Sequence, residues 1–215
     1  FNSDESPLVD KDFIKGVVEK YGTESDEYRI EVKGEFPRID AVDEQGYAPL
    51  FLESDVHFIE DNRFVGTKYL GVDPAGLGSD EAAWGVRDRF KLEIVGTEQI
   101  STPKSGSNKT IGILENYGVK PEDTTLDSFG EGANWLREIE ASGSFDSPIW
   151  INGVNVGEKA DDDERFLNKR AEAFFRFKDW ARSGGEFVKN QYSERLKKEL
   201  LTIRYRRERN GKIKI

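Results

Sequence analysis

The chain has 215 residues, with 42 Asp and Glu against 32 Lys and Arg, a net charge of −10. Its 14 Phe, 7 Tyr and 4 Trp exclude a disordered chain, and no apolar run reaches the roughly 18 residues that span a bilayer, which excludes a membrane helix. The absence of Cys excludes disulfides, thiolate metal sites and thiol nucleophiles, and a single histidine, His57, argues against a Ser-His-Asp triad or a histidine zinc site.

Residues 1–64 carry 17 acidic and 7 basic side chains and read as an acidic linker or arm from something upstream. Phe at position 1 and the lack of Met suggest a piece of a longer chain. Residues 1–20 read as a helix or arm anchored by Leu8, Phe13, Val17 and Val18. Tyr28 to Val32 alternates apolar and charged, which predicts a strand. Residues 34–46 read as a loop and residues 50–59 as a mixed segment, within which His57 reads as structural.

The core domain is expected over 65–215. Tyr69 to Val72 predicts a strand leading into Asp73 and a Gly-rich turn. Ala82–Val86 and Phe90–Val95 predict two more, completing a three-stranded antiparallel meander. Thr110–Tyr117 fits a helix stopped by Gly118. Thr124–Leu126 is a short strand ending at Asp127, followed by a Gly130–Gly132 turn and a helix over 133–141. Residues 148–156 contain another strand. Residues 163–183 read as the longest helix, with Phe166, Ala173, Phe177 and Trp180 near one face and Gly184-Gly185 as its stop. Ser193 caps a short helix through Leu200. Finally, Asn210-Gly211 between alternating segments predicts a hairpin. Strands interleaved with helices in this order predict an α/β fold with a mixed sheet. It matches a ribonuclease H-like arrangement flanked by helices and ended by a basic β-hairpin, a fold that periodicity alone does not single out.

Asp73 and Asp127 each end a core strand and precede a Gly-containing turn, so the two can converge. With no Cys and one His, the metal chemistry open to this sequence is an oxygen-ligand site for Mg²⁺ or Mn²⁺. Two such ions about 3.5–4 Å apart, flanked by carboxylates, hydrolyse phosphodiesters. Asp80 can lie on the rim of such a site. Strand-end aspartates are also common turn formers and caps. KSGSNKT (104–110) lacks the spacing of a phosphate-binding loop, so no nucleotide is expected. Asp161 to Asp163 read as acids capping the long helix rather than as a metal cluster. Residues 195–214 hold nine Lys or Arg and two Glu, a local basic patch in an acidic chain.

Four stretches resemble the nuclease domain of bacteriophage terminase large subunits. GVDPAGLGSDEAAWGV (71–86) resembles its first acidic motif and TTLDSFGEGANWLREI (124–139) its second. NGVNVGEKADDDERFLNKRAEAFFRFKDWARSGG (152–185) resembles the segment in which an Asn-x-Arg-Ala-Glu helix follows a Gly-Glu-x-Ala turn. YRIEVKGEFPRID (28–40) resembles the stretch joining the packaging ATPase to the nuclease. The resemblance implies an endonuclease that cuts concatemeric double-stranded viral DNA during packaging, in the host cytoplasm. It implies Asp73 and Asp127 as metal ligands and Asp80 as an accessory acid. It also implies a basic hairpin approaching DNA, with Arg204, Arg206, Arg207, Lys212 and Lys214 on phosphates. The implied partners are the upstream ATPase domain, the portal and the small terminase subunit. The family's third metal-binding acid follows the hairpin and is expected beyond Ile215. The alternatives are another ribonuclease H-like enzyme, such as a resolvase or transposase core, and a non-catalytic DNA-binding or motor-docking module.

Overall fold

A computed structural model of the chain describes residues 10–23, 28–34, 43–76, 79–143 and 151–215. Two compact units are present, Phe1–Pro49 and Leu50–Ile215. The second unit thus begins earlier in the chain than the charge-based division at 64/65.

In the first unit, helix α1 (Lys11–Tyr21) starts where the Asp10 carboxylate accepts the Asp12 N–H at 2.9 Å. It buries Val17 against Tyr28 and Val32, with Ile14 and Val18 alongside, while Phe13 faces solvent. The strand expected over Tyr28–Val32 is instead a single π-helical turn. Tyr28 and Val32, four residues apart, both point into this small cluster, as a helical turn allows. Alternation over five residues does not separate that arrangement from a strand. A two-residue strand, β1 (Ala48–Pro49), closes the unit. Leu8 and most of the 34–46 loop lie outside the described residues.

The second unit is built on a seven-stranded mixed sheet. Its strands are β2 (Phe58–Ile59), β3 (Tyr69–Asp73), β4 (Glu81–Arg87), β5 (Lys91–Gln99), β6 (Thr124–Asp127), β7 (Asn152–Val154) and β8 (Glu186–Val188), in the spatial order β2-β8-β5-β4-β3-β6-β7. β3, β4 and β5 form the expected antiparallel meander, and β3, β6 and β7 run parallel. This is the ribonuclease H-like arrangement. β2 and β8 were not legible as strands; they are two and three residues long and add in parallel beside β5.

Helices α2 (Pro103–Tyr117) and α3 (Glu131–Ala141) cover one face of the sheet. α2 begins before the expected Thr110, because Thr102 and Ser105 form a reciprocal capping box with Pro103 in the first turn. Its polar first turns escape an apolar-periodicity reading but carry Gly106, whose backbone lies directly on the Trp135 indole of α3. Trp135 in turn stacks on Trp84 of β4, with ring centroids 5.9 Å apart. The Trp84 Nε1–H donates to Thr110 Oγ1 at 2.9 Å, so the largest core side chain leaves no polar atom unpaired.

Helices α4 (Lys169–Arg182) and α5 (Ser193–Thr202) belong to a second apolar cluster, with Phe51, Phe166, Phe187 and Ile213. α4 is shorter than expected. Asn168, not the Asp161–Asp163 run, is its N-cap, with Oδ1 accepting the Ala171 N–H at 3.0 Å. Asp163 pairs instead with Lys159 at 2.6 Å. Ala171, Glu172, Phe175, Lys178 and Ala181 are buried, and of the expected face Phe166, Phe177 and Trp180 pack into the same cluster while Ala173 is exposed. The Asn-Gly hairpin is present as β9 (Arg204–Arg207) and β10 (Ile213–Lys214). Its tip is longer than a two-residue turn. Glu208 N–H bonds to the Lys212 carbonyl at 2.8 Å across three residues, and Gly211 takes φ +82°.

One buried charge fixes the β4–β5 turn. Asp88 is 1% exposed and accepts N–H groups from Val65, Phe90 and Lys91, each at 2.7 Å. Burial pushes its carboxyl pKa up, but these donors outweigh burial and hold it below the ordinary value. A depressed folded-state pKa contributes stability above the unfolded pKa, which is lost as pH falls through the folded one. Asp88→Asn is therefore expected to cost about 1.5–3 kcal/mol near neutral pH. Urea unfolding at stepped pH should show the wild-type and variant curves converging in acid.

Candidate active site

Burial alternates along β3, with Leu70 and Val72 turned into the core and Gly71 and Asp73 to the other face. β6 repeats the pattern, with Thr124 and Leu126 inward and Thr125 and Asp127 outward. The strands pair in parallel as Leu70 with Thr124, Gly71 with Thr125 and Val72 with Leu126. The next step brings Asp73 and Asp127 level at the C-terminal ends of neighbouring strands. Strand spacing there is about 4.8 Å. The two aspartates expected at the site thus end neighbouring strands, near enough for the Asp127 charge to act on Asp73.

Their electrostatics follow from this geometry. Desolvation raises the Asp73 pKa, the adjacent Asp127 charge raises it further, and Arg170 opposes both without cancelling them. Asp127 Oδ1 accepts the Phe129 N–H at 3.1 Å, which turns the chain just past the strand. Gly132, in the first turn of α3, lies against the Asp127 carbonyl so closely that a Cβ would overlap it. Gly132→Ala must therefore displace either α3 or Asp127. The expected result is a loss of about 1–3 kcal/mol in thermal denaturation.

Asp80 sits at the entry to β4, and with Asp73 it lines a cleft of about 430 Å³ bounded by Glu81, Thr97, Tyr192, Arg195 and Glu199. Four carboxylates face one guanidinium there. Arg195 donates to Glu81, and its Nε donates to Glu199 at 2.7 Å, so the guanidinium is held between two acids. These bonds, first to Glu81 and then to Glu199, raise its pKa above the ordinary arginine value. Glu81, Arg170 and Arg195 were missed by sequence reading. Glu81 carried a signal, since it lies two residues before Ala83, the cross-strand partner of Asp73, and so shares its face.

Two hard-oxygen acids on one edge, with an excess of negative charge, fit a divalent cation of the Mg²⁺ or Mn²⁺ kind. Among the described residues, no group of three or more His, Asp or Glu lies close enough to hold a metal. The basic hairpin is partly committed elsewhere. Arg206 pairs with Glu208 at 2.9 Å, Lys212 lies 3.9 Å from Asp163 and Arg207 donates to the Gly211 carbonyl at 3.4 Å; Arg204 and Arg207 are exposed and Lys214 is half-buried. Ile213 anchors the hairpin in the second apolar cluster.

The arrangement defines the chain as having the fold of a phage terminase nuclease domain, ribonuclease H-like in topology. No protein-family model matches the chain, and no curated protein matches it. Among solved structures it is similar to the nuclease domain of the large terminase subunit gp2 of bacterial virus Sf6. That likeness has a TM-score of 0.61 at 18% identity, over 71% of this chain and 78% of that one. It is also similar to the large terminase nuclease from thermophilic phage G20c, solved with bound magnesium, with a TM-score of 0.53 at 18% identity over 77% of this chain and 86% of that one. A large terminase from a second thermophilic bacteriophage aligns over 100% of this chain and 49% of its own, with a TM-score of 0.57 at 12% identity.

Proposed function

We propose that the chain is a metal-dependent endonuclease domain of a phage large terminase subunit. In this reading it cuts concatemeric double-stranded viral DNA at packaging. The observation that carries this reading is the level placement of Asp73 and Asp127 on adjacent parallel strands, in a fold similar to terminase nucleases. Asp73 and Asp127 would hold the metal, with Asp80, which lines the cleft beside Asp73, as an accessory acid. Bound there, two Mg²⁺ or Mn²⁺ ions supply activated water and charge neutralisation at the leaving oxygen. The carboxylates place and orient the reacting groups, and Arg170 lies close enough to Asp73 to temper its charge. The hairpin residues Arg204, Arg206, Arg207, Lys212 and Lys214 would bind phosphates without sequence preference and with strong salt dependence.

As part of a terminase, the domain would work in the host cytoplasm with an upstream ATPase domain, joined to it through the first unit, Phe1–Pro49. The portal and small subunit would complete the assembly. No described helix is long and apolar enough to cross a membrane. A non-catalytic DNA-binding module is the second reading, favoured because no three acids among the described residues lie close enough together to hold a metal.

Conversion of supercoiled plasmid in Mg²⁺, Mn²⁺ or EDTA separates the two. The nuclease reading expects nicking and linearisation with either metal and none in EDTA. Salt-sensitive binding without cleavage in any metal supports the binding module.

A further inference from the structure

The turn that leaves Asp127 presents an aromatic side chain to solvent. Phe129 is 74% exposed, the most exposed of the large apolar side chains among the described residues. It belongs to neither apolar cluster of the second unit. Singly exposed apolar residues are common on loops. Phe129 differs in that its backbone is fixed. Ser128 N–H bonds to the Val154 carbonyl at 3.0 Å, Phe129 N–H to Asp127 Oδ1 at 3.1 Å, and the Phe129 carbonyl accepts Gly132 N–H at 3.3 Å. Gly130, at φ +61°, then turns the chain into α3. The ring therefore has an anchored base and an open face, and it stands two residues from a carboxylate of the candidate site.

Two residues of chain reach about 7 Å at most. A DNA strand advances about 3.4 Å per nucleotide, so a strand whose phosphate lies at Asp73 and Asp127 passes within a few nucleotides of this ring. An exposed aromatic face stacks on any base without regard to sequence. Inserted between base steps, a Phe unstacks them and bends the duplex.

We propose that Phe129 is a positioning residue that stacks on a base flanking the scissile phosphate and so holds the strand against the acid pair. This rests on the nuclease reading above. It adds a contact to the bases where the acids and the basic hairpin address only the backbone.

The test is single-turnover plasmid nicking in Mn²⁺ by the wild type and by Phe129→Ala, Phe129→Leu and Phe129→Trp, beside their affinities for a single-stranded oligonucleotide in EDTA. Phe129→Ala should lose about ten- to a hundredfold in nicking at sub-saturating enzyme and bind the oligonucleotide more weakly by a similar factor. Phe129→Trp should restore both, and Phe129→Leu, apolar but without a π face, should not. Melting temperature and Mn²⁺ binding should be unchanged in all three, because the turn is held by backbone groups. Equal nicking by Phe129→Ala and wild type would overturn the proposal. So would rescue by Leu as complete as that by Trp, or loss of Mn²⁺ binding in Phe129→Ala, which would mean that the ring supports Asp127 instead. Should the wild type fail to nick in any metal, the nuclease reading fails separately. The oligonucleotide affinities then decide the stacking contact alone.

Discussion

Asp73→Asn and Asp127→Asn are each expected to abolish metal-dependent cleavage while leaving DNA binding intact. Loss of an outer partner of a metal ligand already costs about 10- to 100-fold, so loss of a ligand itself should exceed about 10²-fold. The same substitution should act in the opposite sense on the metal-free fold. Asp73 has its pKa raised by desolvation and by Asp127. A carboxyl whose folded pKa lies above its unfolded one penalises the fold once it ionises. The penalty is absent below the unfolded pKa and complete above the folded one. Metal-free Asp73→Asn should thus melt above wild type near neutral pH, and the difference should close in acid. Scanning calorimetry in EDTA at stepped pH measures this. A lower melting temperature for the variant would mean that the carboxylate supports the fold instead of loading the site with charge.

The largest effect on stability is expected from Trp84→Ala. Trp84 is fully buried, stacked on Trp135 and hydrogen-bonded to Thr110, which joins β4 to α2 and α3 at once. Truncating a buried Trp costs about 3–5 kcal/mol. That is a large part of the roughly 5–15 kcal/mol typical of a domain, so the variant should be partly unfolded at about 37 °C. Trp84→Phe should retain most of the packing and lose about 1 kcal/mol for the missing hydrogen bond. Urea midpoints rank the three proteins. A Trp84→Ala loss below about 1 kcal/mol would show that the cavity collapses freely and that α2 and α3 are not held through this ring.

The β3–β6 heart of the fold was legible because its strands alternate in burial and end in Asp before glycine turns. The Asp-before-glycine turns drew attention to Asp73 and Asp127, while the order of strands and helices, with the resemblance to terminase nucleases, carried the topology. Legibility failed where local patterns were short or where long-range contacts decide. β2 and β8 are held by register with strands distant in sequence, not by periodicity of their own. Tyr28–Val32 satisfied both a strand pattern and a helical one. The Asp161–Asp163 run drew the start of α4 too early, because acids favour a helix N-terminus wherever it lies and Asn168 is the group that caps it. Arg195 was visible as a helix partner of Glu199 four residues on, but its bond to Glu81 joins α5 to β4 across the fold and leaves no trace in local sequence. Gly132 could be read as a turn glycine. That it makes room for the carbonyl of a site residue is visible only in three dimensions.

The central claim is that Asp73 and Asp127 together form a divalent-cation site. Titration of Mn²⁺ into the wild type, Asp73→Asn and Asp127→Asn, with free Mn²⁺ followed by its electron paramagnetic resonance signal, tests it most directly. Saturable depletion of free Mn²⁺ by the wild type, lost or greatly weakened in both variants, is the predicted result. Equal binding by all three proteins would place the metal elsewhere and contradict it.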